Sequence, residues 1–142
     1  MNFHIITIFP DIFNSYFNES ILKRAKDKKI INIKIYNLRD WTSDKHRTVD
    51  DTPYGGGAGM VMKVEPIYKA LRALKLQITN NKLQIKSKII LLSAKGKKWN
   101  QQMAKRYSKL DNVIMVCGRY EGVDERANNF VDEKISIGDY VL

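Results

Sequence analysis

"NVIMVCGRYEGVDERA", residues 112–127, sets a short unbroken apolar run against a turn crowded with polar groups. Val113 to Val116 places large apolar or β-branched residues at successive positions, so the strand it predicts is buried on both faces. Such a strand belongs to a parallel sheet with helices on either side. The run ends at Cys117-Gly118, and Arg119, Tyr120, Glu121, Gly122, Asp124, Glu125 and Arg126 all follow within the next eight positions. In open parallel sheets, ligands sit outside the carboxyl ends of the strands. That tip is therefore where chemistry is expected.

Working outward, "KIILLS" (88–93) has the same doubly buried character. "FHIITIF" (3–9) is a strand ending at Pro10, and "EKISIG" (133–138) is a last one. "IINIKIYNL" (30–38) alternates Ile31, Ile33 and Ile35 with Asn32, Lys34 and Tyr36, a strand with one buried face. Between them, Ile12, Phe13, Tyr16 and Phe17, then Ile21, Leu22 and Ala25, predict two helices broken near Asn18, with Ser20 or Asn18 as cap. "PIYKALRALKL" predicts an amphipathic helix from Glu65, with Pro66 just inside its start. "KKWNQQMAKRYSKL" (97–110) reads as another helix and "DERANNFV" (124–131) as a short one. The fold class is α/β, a mainly parallel sheet flanked by helices. Three strand tips then become candidates: Ser93-Ala94-Lys95-Gly96, Gly118 to Gly122, and Gly138-Asp139-Tyr140.

A chain of 142 residues makes one domain. No apolar run approaches the roughly 20 residues of a membrane helix, and the N-terminus lacks the cationic start of a signal peptide. Cys117 is the sole cysteine, which excludes an internal disulfide and fits a reducing, cytoplasmic setting. His4, His46 and Cys117 give no metal-ligand spacing. The net charge of +10 is unevenly placed: residues 66–110 carry 12 Lys/Arg and no acid, whereas residues 111–142 carry 3 Lys/Arg against 7 Asp/Glu. An acid-free block of that length attracts phosphates in a salt-dependent way. The competing reading is compositional, because Lys outnumbers Arg 18 to 7.

"DWTSDKHRTVDDTPYGGGAGMVMK" (40–63) has no usable periodicity. It lacks the Gly-Lys-Ser/Thr of a phosphate-cradling loop and the G-x-G-x-x-G of a dinucleotide fold. A flexible surface loop and a substrate lid both suit its composition, although loops of this length in small domains are more often functional. In the tip at 118–126, Tyr120 offers a stacking face and Glu121 an acceptor for an exocyclic amine; a plain surface turn capped by Asp124 is the alternative. Cys117 reads as a buried small hydrophobe, and His46 as a solvated loop histidine.

Taken together, "FPDIF", "TVDDTPYGGGAGMVMK", "LLSAKGKKW", "VCGRYEGVDER" and "SIGDYVL" stand in order and at spacings that resemble the bacterial tRNA (guanine-N1)-methyltransferases of the SPOUT class. The resemblance runs over nearly the whole chain. It implies a trefoil-knot methyltransferase domain over 1–142 that binds S-adenosylmethionine and works as a homodimer with the active site at the interface. It implies tRNA as substrate, methylated at N1 of the guanosine just 3′ of the anticodon. Carried over by position, Leu92, Ser93, Ala94 and Gly96 would form the first cofactor loop, with Ala94 where the family commonly has proline. Gly118, Tyr120, Glu121 and Gly122 would form the second loop, and Ile137, Gly138, Tyr140 and Leu142 the third. Glu121 would also meet the target guanine, and Arg47, Asp50, Gly57 and Gly59 would face cofactor or tRNA.

The resemblance also implies a general base, an aspartate helped by an arginine, in a segment following this one, and then a helical tRNA-gripping domain. On that reading no catalytic residue is assigned here, the chain is expected to be inactive alone, and the completeness of the knot stays open. The family's use of magnesium finds no dedicated oxygen-ligand cluster in this sequence. A non-catalytic basic RNA-binding module is the alternative, and a Rossmann nucleotide binder is disfavoured.

Overall fold

Two alternating sets of apolar side chains on the same strands divide the protein into its layers. The structure is a computed structural model and describes residues 1–79 and 85–140. Five strands form one sheet in the order β2-β1-β6-β5-β7: β1 Asn2–Thr7, β2 Asn32–Asn37, β5 Ser87–Lys98, β6 Asn112–Cys117 and β7 Glu133–Ser136. Every pairing in it is parallel. Ile89 and Leu91 of β5, with Ile114 and Val116 of β6, face helix α3 (Val64–Thr79), which supplies Ile67, Ala70, Leu71 and Leu74. The intervening Ile90 and Val113, with Ile135 of β7, face helix α4 (Gln101–Tyr107) through Met103 and Tyr107. This period of two explains the doubly buried runs. Each fully buried Ile or Leu contributes about 1.5–3 kcal/mol.

The chain between β1 and β2 is a 3-10 helix at Pro10–Phe13 followed by α1 (Asn14–Phe17) and α2 (Ser20–Asp27), with the predicted break at Asn18. The capping expectation is corrected: extended Glu19 occupies the N-cap of α2 without a side-chain bond, and Asn18 ends α1. None of the residues of these helices is buried, and Ile12, Tyr16 and Ile21 are each more than two-thirds exposed.

A second correction concerns residues 97–110. Lys97 and Lys98 are strand, not helix, because β5 continues past an irregularity to pair with Ile135 and Ser136 of β7. Helix α4 starts only at Gln101, where the Asn100 side chain accepts a 2.9 Å hydrogen bond from the Met103 N–H and caps the helix. The β7 edge is tied to α4 by Glu133, whose carboxylate accepts from Lys88 Nζ at 2.8 Å, Tyr107 Oη at 2.8 Å and Arg106 Nη2 at 3.0 Å. The Lys88 hydrogen bond leads in holding this carboxyl below the usual range. Glu133→Gln keeps the shape and removes the charge, so a loss of about 1–3 kcal/mol is expected in urea unfolding at neutral pH.

His4 lies buried in β1, with Nδ1 3.1 Å from the Tyr36 hydroxyl and Nε2 3.3 Å from Asn112 Oδ1. Burial lowers its pKa, outweighing the Asn112 hydrogen bond, and Lys34 adds to the lowering. The unfolded chain therefore takes up a proton first as pH falls below about 6.5, and folded stability drops from there downward. The slope from one such group is at most about 1.4 kcal/mol per pH unit. Unfolding free energies at pH 7.5 and 5.5 are expected to show this loss, and His4→Gln to reduce it.

Candidate functional site

Because β6, β5 and β7 are neighbours, their carboxyl ends meet at one edge of the sheet. All three predicted stretches are brought to it, with one correction: the stretch 93–96 lies within β5, in the irregular part between Leu92 and Lys97 where β5 has left β6 and runs on beside β7, not beyond the strand's end. At Gly118 an added Cβ would stand 3.0 Å from the Leu92 carbonyl oxygen, so the β5 and β6 tips touch through backbone. Gly96 lies against β7 itself, its would-be Cβ 2.5 Å from the Ile135 nitrogen. Beyond β7, the buried Ser136 hydroxyl donates to the Gly138 carbonyl at 2.7 Å and lies 3.2 Å from the Gly138 N–H, folding the chain back on itself. The Tyr140 ring then sits directly over Gly138. Ile137 and Tyr140 are exposed at this edge, and Leu142 lies outside the described residues.

The β6 tip turns through Tyr120, at φ +60°, and Gly122, at φ +136°. A tyrosine in the left-handed region is uncommon and is held there at some cost by its surroundings. Those surroundings are the end of the long loop. Strands β3 (Asp50–Asp51) and β4 (Val61–Met62) form a small antiparallel pair, with Asp50 opposite Met62. From there the Glu121 N–H donates to the Met60 carbonyl at 3.0 Å, the Met62 N–H to the Gly122 carbonyl at 2.9 Å, and the Asp124 N–H to the Met62 carbonyl at 3.0 Å. Gly59 packs on the Glu121 side chain, with Glu121 Cδ 3.1 Å from where its Cβ would be. The loop is thus docked on the tip rather than loose beside it.

The structure does not bring every expected residue to this edge. Arg47, at φ +53°, turns back to the 3-10 helix at Leu38–Trp41, where it pairs with Asp40 and donates to the Arg39 carbonyl at 3.3 Å. Gly57 stands in open space. A cavity of about 190 Å³ lies under the loop, among Trp41, Asp44, Thr48, Lys63 and Glu65, away from the three tips. His46 is exposed. Burial pushes the Cys117 thiol up to about 11, so it remains protonated at neutral pH and is no nucleophile. Asp124 caps the 3-10 helix at Glu125–Phe130, and the Arg126 hydrogen bonds hold its carboxyl below the usual range.

Two features escaped the sequence reading. The pairing of Met60–Met62 with residues 121–124 is one, and the apolar "MVM" at the loop's end was its only signal. The other is that Phe9 and Arg39, just past β1 and β2, share the edge with Arg119; the carboxyl-end rule applied to all five strands would have included them. Among the described residues, no three His, Cys, Asp or Glu side chains group as a metal site, and no helix is long and apolar enough to cross a membrane.

A family model described as tRNA (Guanine-1)-methyltransferase TrmD matches residues 1–142. The chain is 56% identical over 138 residues to a tRNA (guanine-N(1)-)-methyltransferase of Dictyoglomus turgidum, covering 97% of this chain and 53% of that protein. It is 52% identical over 143 residues to the protein of that description from Clostridioides difficile, covering 100% of this chain and 60% of the relative. The crystal structure of tRNA (m1G37) methyltransferase from Aquifex aeolicus superposes with a TM-score of 0.86 at 37% identity, covering 100% of this chain and 62% of that one. The chain thus spans between about half and three-fifths of the length of these relatives.

Proposed function

The chain belongs to the tRNA (guanine-1)-methyltransferase family, and on that premise we propose that it holds S-adenosylmethionine between the irregular stretch of β5 after Leu92 and the carboxyl ends of β6 and β7, for methyl transfer to N1 of the guanosine 3′ of the anticodon in tRNA. The observation that carries this reading is the meeting of three glycine-bearing stretches at one sheet edge, with backbone close to backbone at Gly96 and Gly118. A flat heterocycle needs such an opening, since backbone N–H and C=O groups can read its edge where side chains would collide. The geometry fits the cofactor in this respect. When bound, the sulfonium supplies the electrophilic methyl, so the protein's work is placement.

On this reading the first loop is Leu92, Ser93, Ala94 and Gly96, the second is Gly118, Tyr120, Glu121 and Gly122, and the third begins at Ile137, Gly138 and Tyr140. Glu121, held against Gly59, presents an acceptor toward the target base. Residues 1–142 act as one cofactor-binding domain. A knotted passage belongs to this proposal, with β5 and β7 in close backbone contact at Gly96 and Ile135. The uncovered apolar residues Ile12, Tyr16 and Ile21 support a homodimer, since a second copy would bury them.

Titration calorimetry with S-adenosylhomocysteine tests the proposal. One-to-one binding at both low and moderate salt is expected. A folded chain that binds tRNA in low salt but not S-adenosylhomocysteine would instead be the non-catalytic RNA-binding module that the basic stretch at 66–110 allows.

A further inference from the structure

The carboxyl edge of the sheet extends past the three tips, across β1 to β2. Phe9 stands two residues beyond β1, Arg39 two beyond β2, and Arg119 two beyond β6. In the sheet β1 lies between β2 and β6, so the two arginines approach Phe9 from the strands on either side. Their Cζ atoms lie 6.0 Å (Arg39) and 5.4 Å (Arg119) from the centre of the Phe9 ring. Phe9 itself is 44% exposed.

These two cations combine an aromatic face with the lack of a carboxylate partner. Arg47, Arg106 and Arg126 are each paired with a carboxylate. Arg39 and Arg119 have no carboxylate within 4.0 Å among the described residues. Arg39 is anchored instead by donating from Nη1 to the Ile8 carbonyl at 2.6 Å, and the Arg119 backbone N–H points at the Met62 sulfur at 3.1 Å. An ion pair would fix a guanidinium and cancel its charge; an aromatic face fixes it and leaves the charge available. A single exposed phenylalanine needs no explanation, but one flanked by two unneutralised guanidinium groups does.

We propose that Arg39 and Arg119 form a phosphate-contact site for the RNA backbone, with Phe9 as the positioning residue that orients both. This rests on the methyltransferase reading, and it deepens that reading by dividing the edge in two. The β5–β7 half takes the cofactor and the β2–β1–β6 half takes the substrate's phosphates. Arg119 joins the halves, two residues before Glu121, so a phosphate held there leaves the attached nucleotide within reach of that carboxylate.

The test is binding of an unmodified tRNA transcript, with guanosine 3′ of the anticodon, over a range of potassium chloride concentrations. Arg119→Gln and Arg39→Gln are each expected to weaken binding by roughly three- to tenfold and to lower the slope of log affinity against log salt by about one, the loss of one phosphate contact. Phe9→Leu is expected to weaken binding, and Phe9→Tyr, which keeps the ring face, to restore it. The losses in Phe9→Leu and Arg119→Gln are expected not to add when combined, since Phe9→Leu already releases the Arg119 contact that Arg119→Gln removes. Unaltered affinity and slope in both arginine variants, each melting at the same temperature as the unsubstituted chain, overturn the proposal. So does additivity with Phe9. The unsubstituted chain is titrated with S-adenosylhomocysteine in parallel. If it binds S-adenosylhomocysteine but not tRNA, the phosphate site falls and the methyltransferase reading stands; if it binds tRNA but not S-adenosylhomocysteine, that reading fails while the variants still judge the site.

Discussion

Gly96→Ala is expected to lower the melting temperature by about 10 °C and to abolish binding of S-adenosylhomocysteine. The added methyl would stand 2.5 Å from the Ile135 nitrogen, 2.6 Å from its carbonyl carbon and 2.7 Å from that of Lys134. All three are backbone atoms in a paired strand, so no side chain can swing aside to relieve the contact. Either β7 leaves β5 or the segment from Ser93 to Lys98 lifts off. Lifting that segment breaks the pairing of Lys97 and Lys98 with Ile135 and Ser136, and the 2.8 Å bond from the Trp99 N–H to the Ser136 carbonyl. Buried overpacking and lost backbone bonds together put the cost at about 3 kcal/mol or more, and in a domain of this size each kcal/mol lowers the midpoint by about 2–4 °C. The ligand effect follows from the same geometry, because Ser136 carries the hydroxyl that folds Gly138 back. Lys105→Gln, at an exposed position on α4, is the control and is expected to leave both readings unchanged. Thermal unfolding and calorimetry check the pair. A Gly96→Ala chain with an unaltered midpoint would mean that β5 and β7 sit less tightly at Gly96 than these distances imply.

How much of this was legible beforehand depended on the kind of signal. Strands β5 and β6 could be read from their apolar runs, because burial on two faces leaves no polar position for the eye to miss. Helix α3 could be read from its period and from Pro66 near its start. The three tips followed from the strands by a rule of topology, so their meeting at one edge needed no residue-level foresight. Lys97 and Lys98 went wrong because local pattern favoured the helix behind them, while a partner strand nearly forty residues later claimed their backbone. The same limit applies at Glu19, where the chain enters α2 with no side-chain cap to betray it. The tie of Arg47 to Asp40 and the Arg39 carbonyl is a local one that no motif announces. The arginine row around Phe9 was invisible for the opposite reason: its members are far apart in sequence and meet only through strand order.

The second large effect is expected at Gly59, and it falls on the site rather than on the fold. Gly59 has φ +90° and packs on Glu121, so Gly59→Ala meets two obstacles at once. The left-handed backbone costs an alanine about 1–2 kcal/mol. The methyl then overlaps the Glu121 Cγ and crowds Cδ, 3.1 Å away. The loop cannot slide off to make room, since Met60 and Met62 are bonded on its far side to Glu121, Gly122 and Asp124. The Glu121 side chain must therefore move. On the proposed function this displaces the acceptor that faces the target base, and a shift of about 1 Å at such a group costs on the order of a hundredfold in rate. Methyl transfer to tRNA by the full-length protein is expected to fall by about that factor. Gly56→Ala separates strain from displacement: Gly56 has φ +85° and nothing within 4 Å of its would-be Cβ. It imposes the same backbone penalty and leaves Glu121 where it is. Equal drops in melting temperature with a much larger loss of transfer in Gly59→Ala would assign the effect to Glu121. Equal losses of transfer in both would assign it to the loop's backbone, and Glu121 would lose its role at the base.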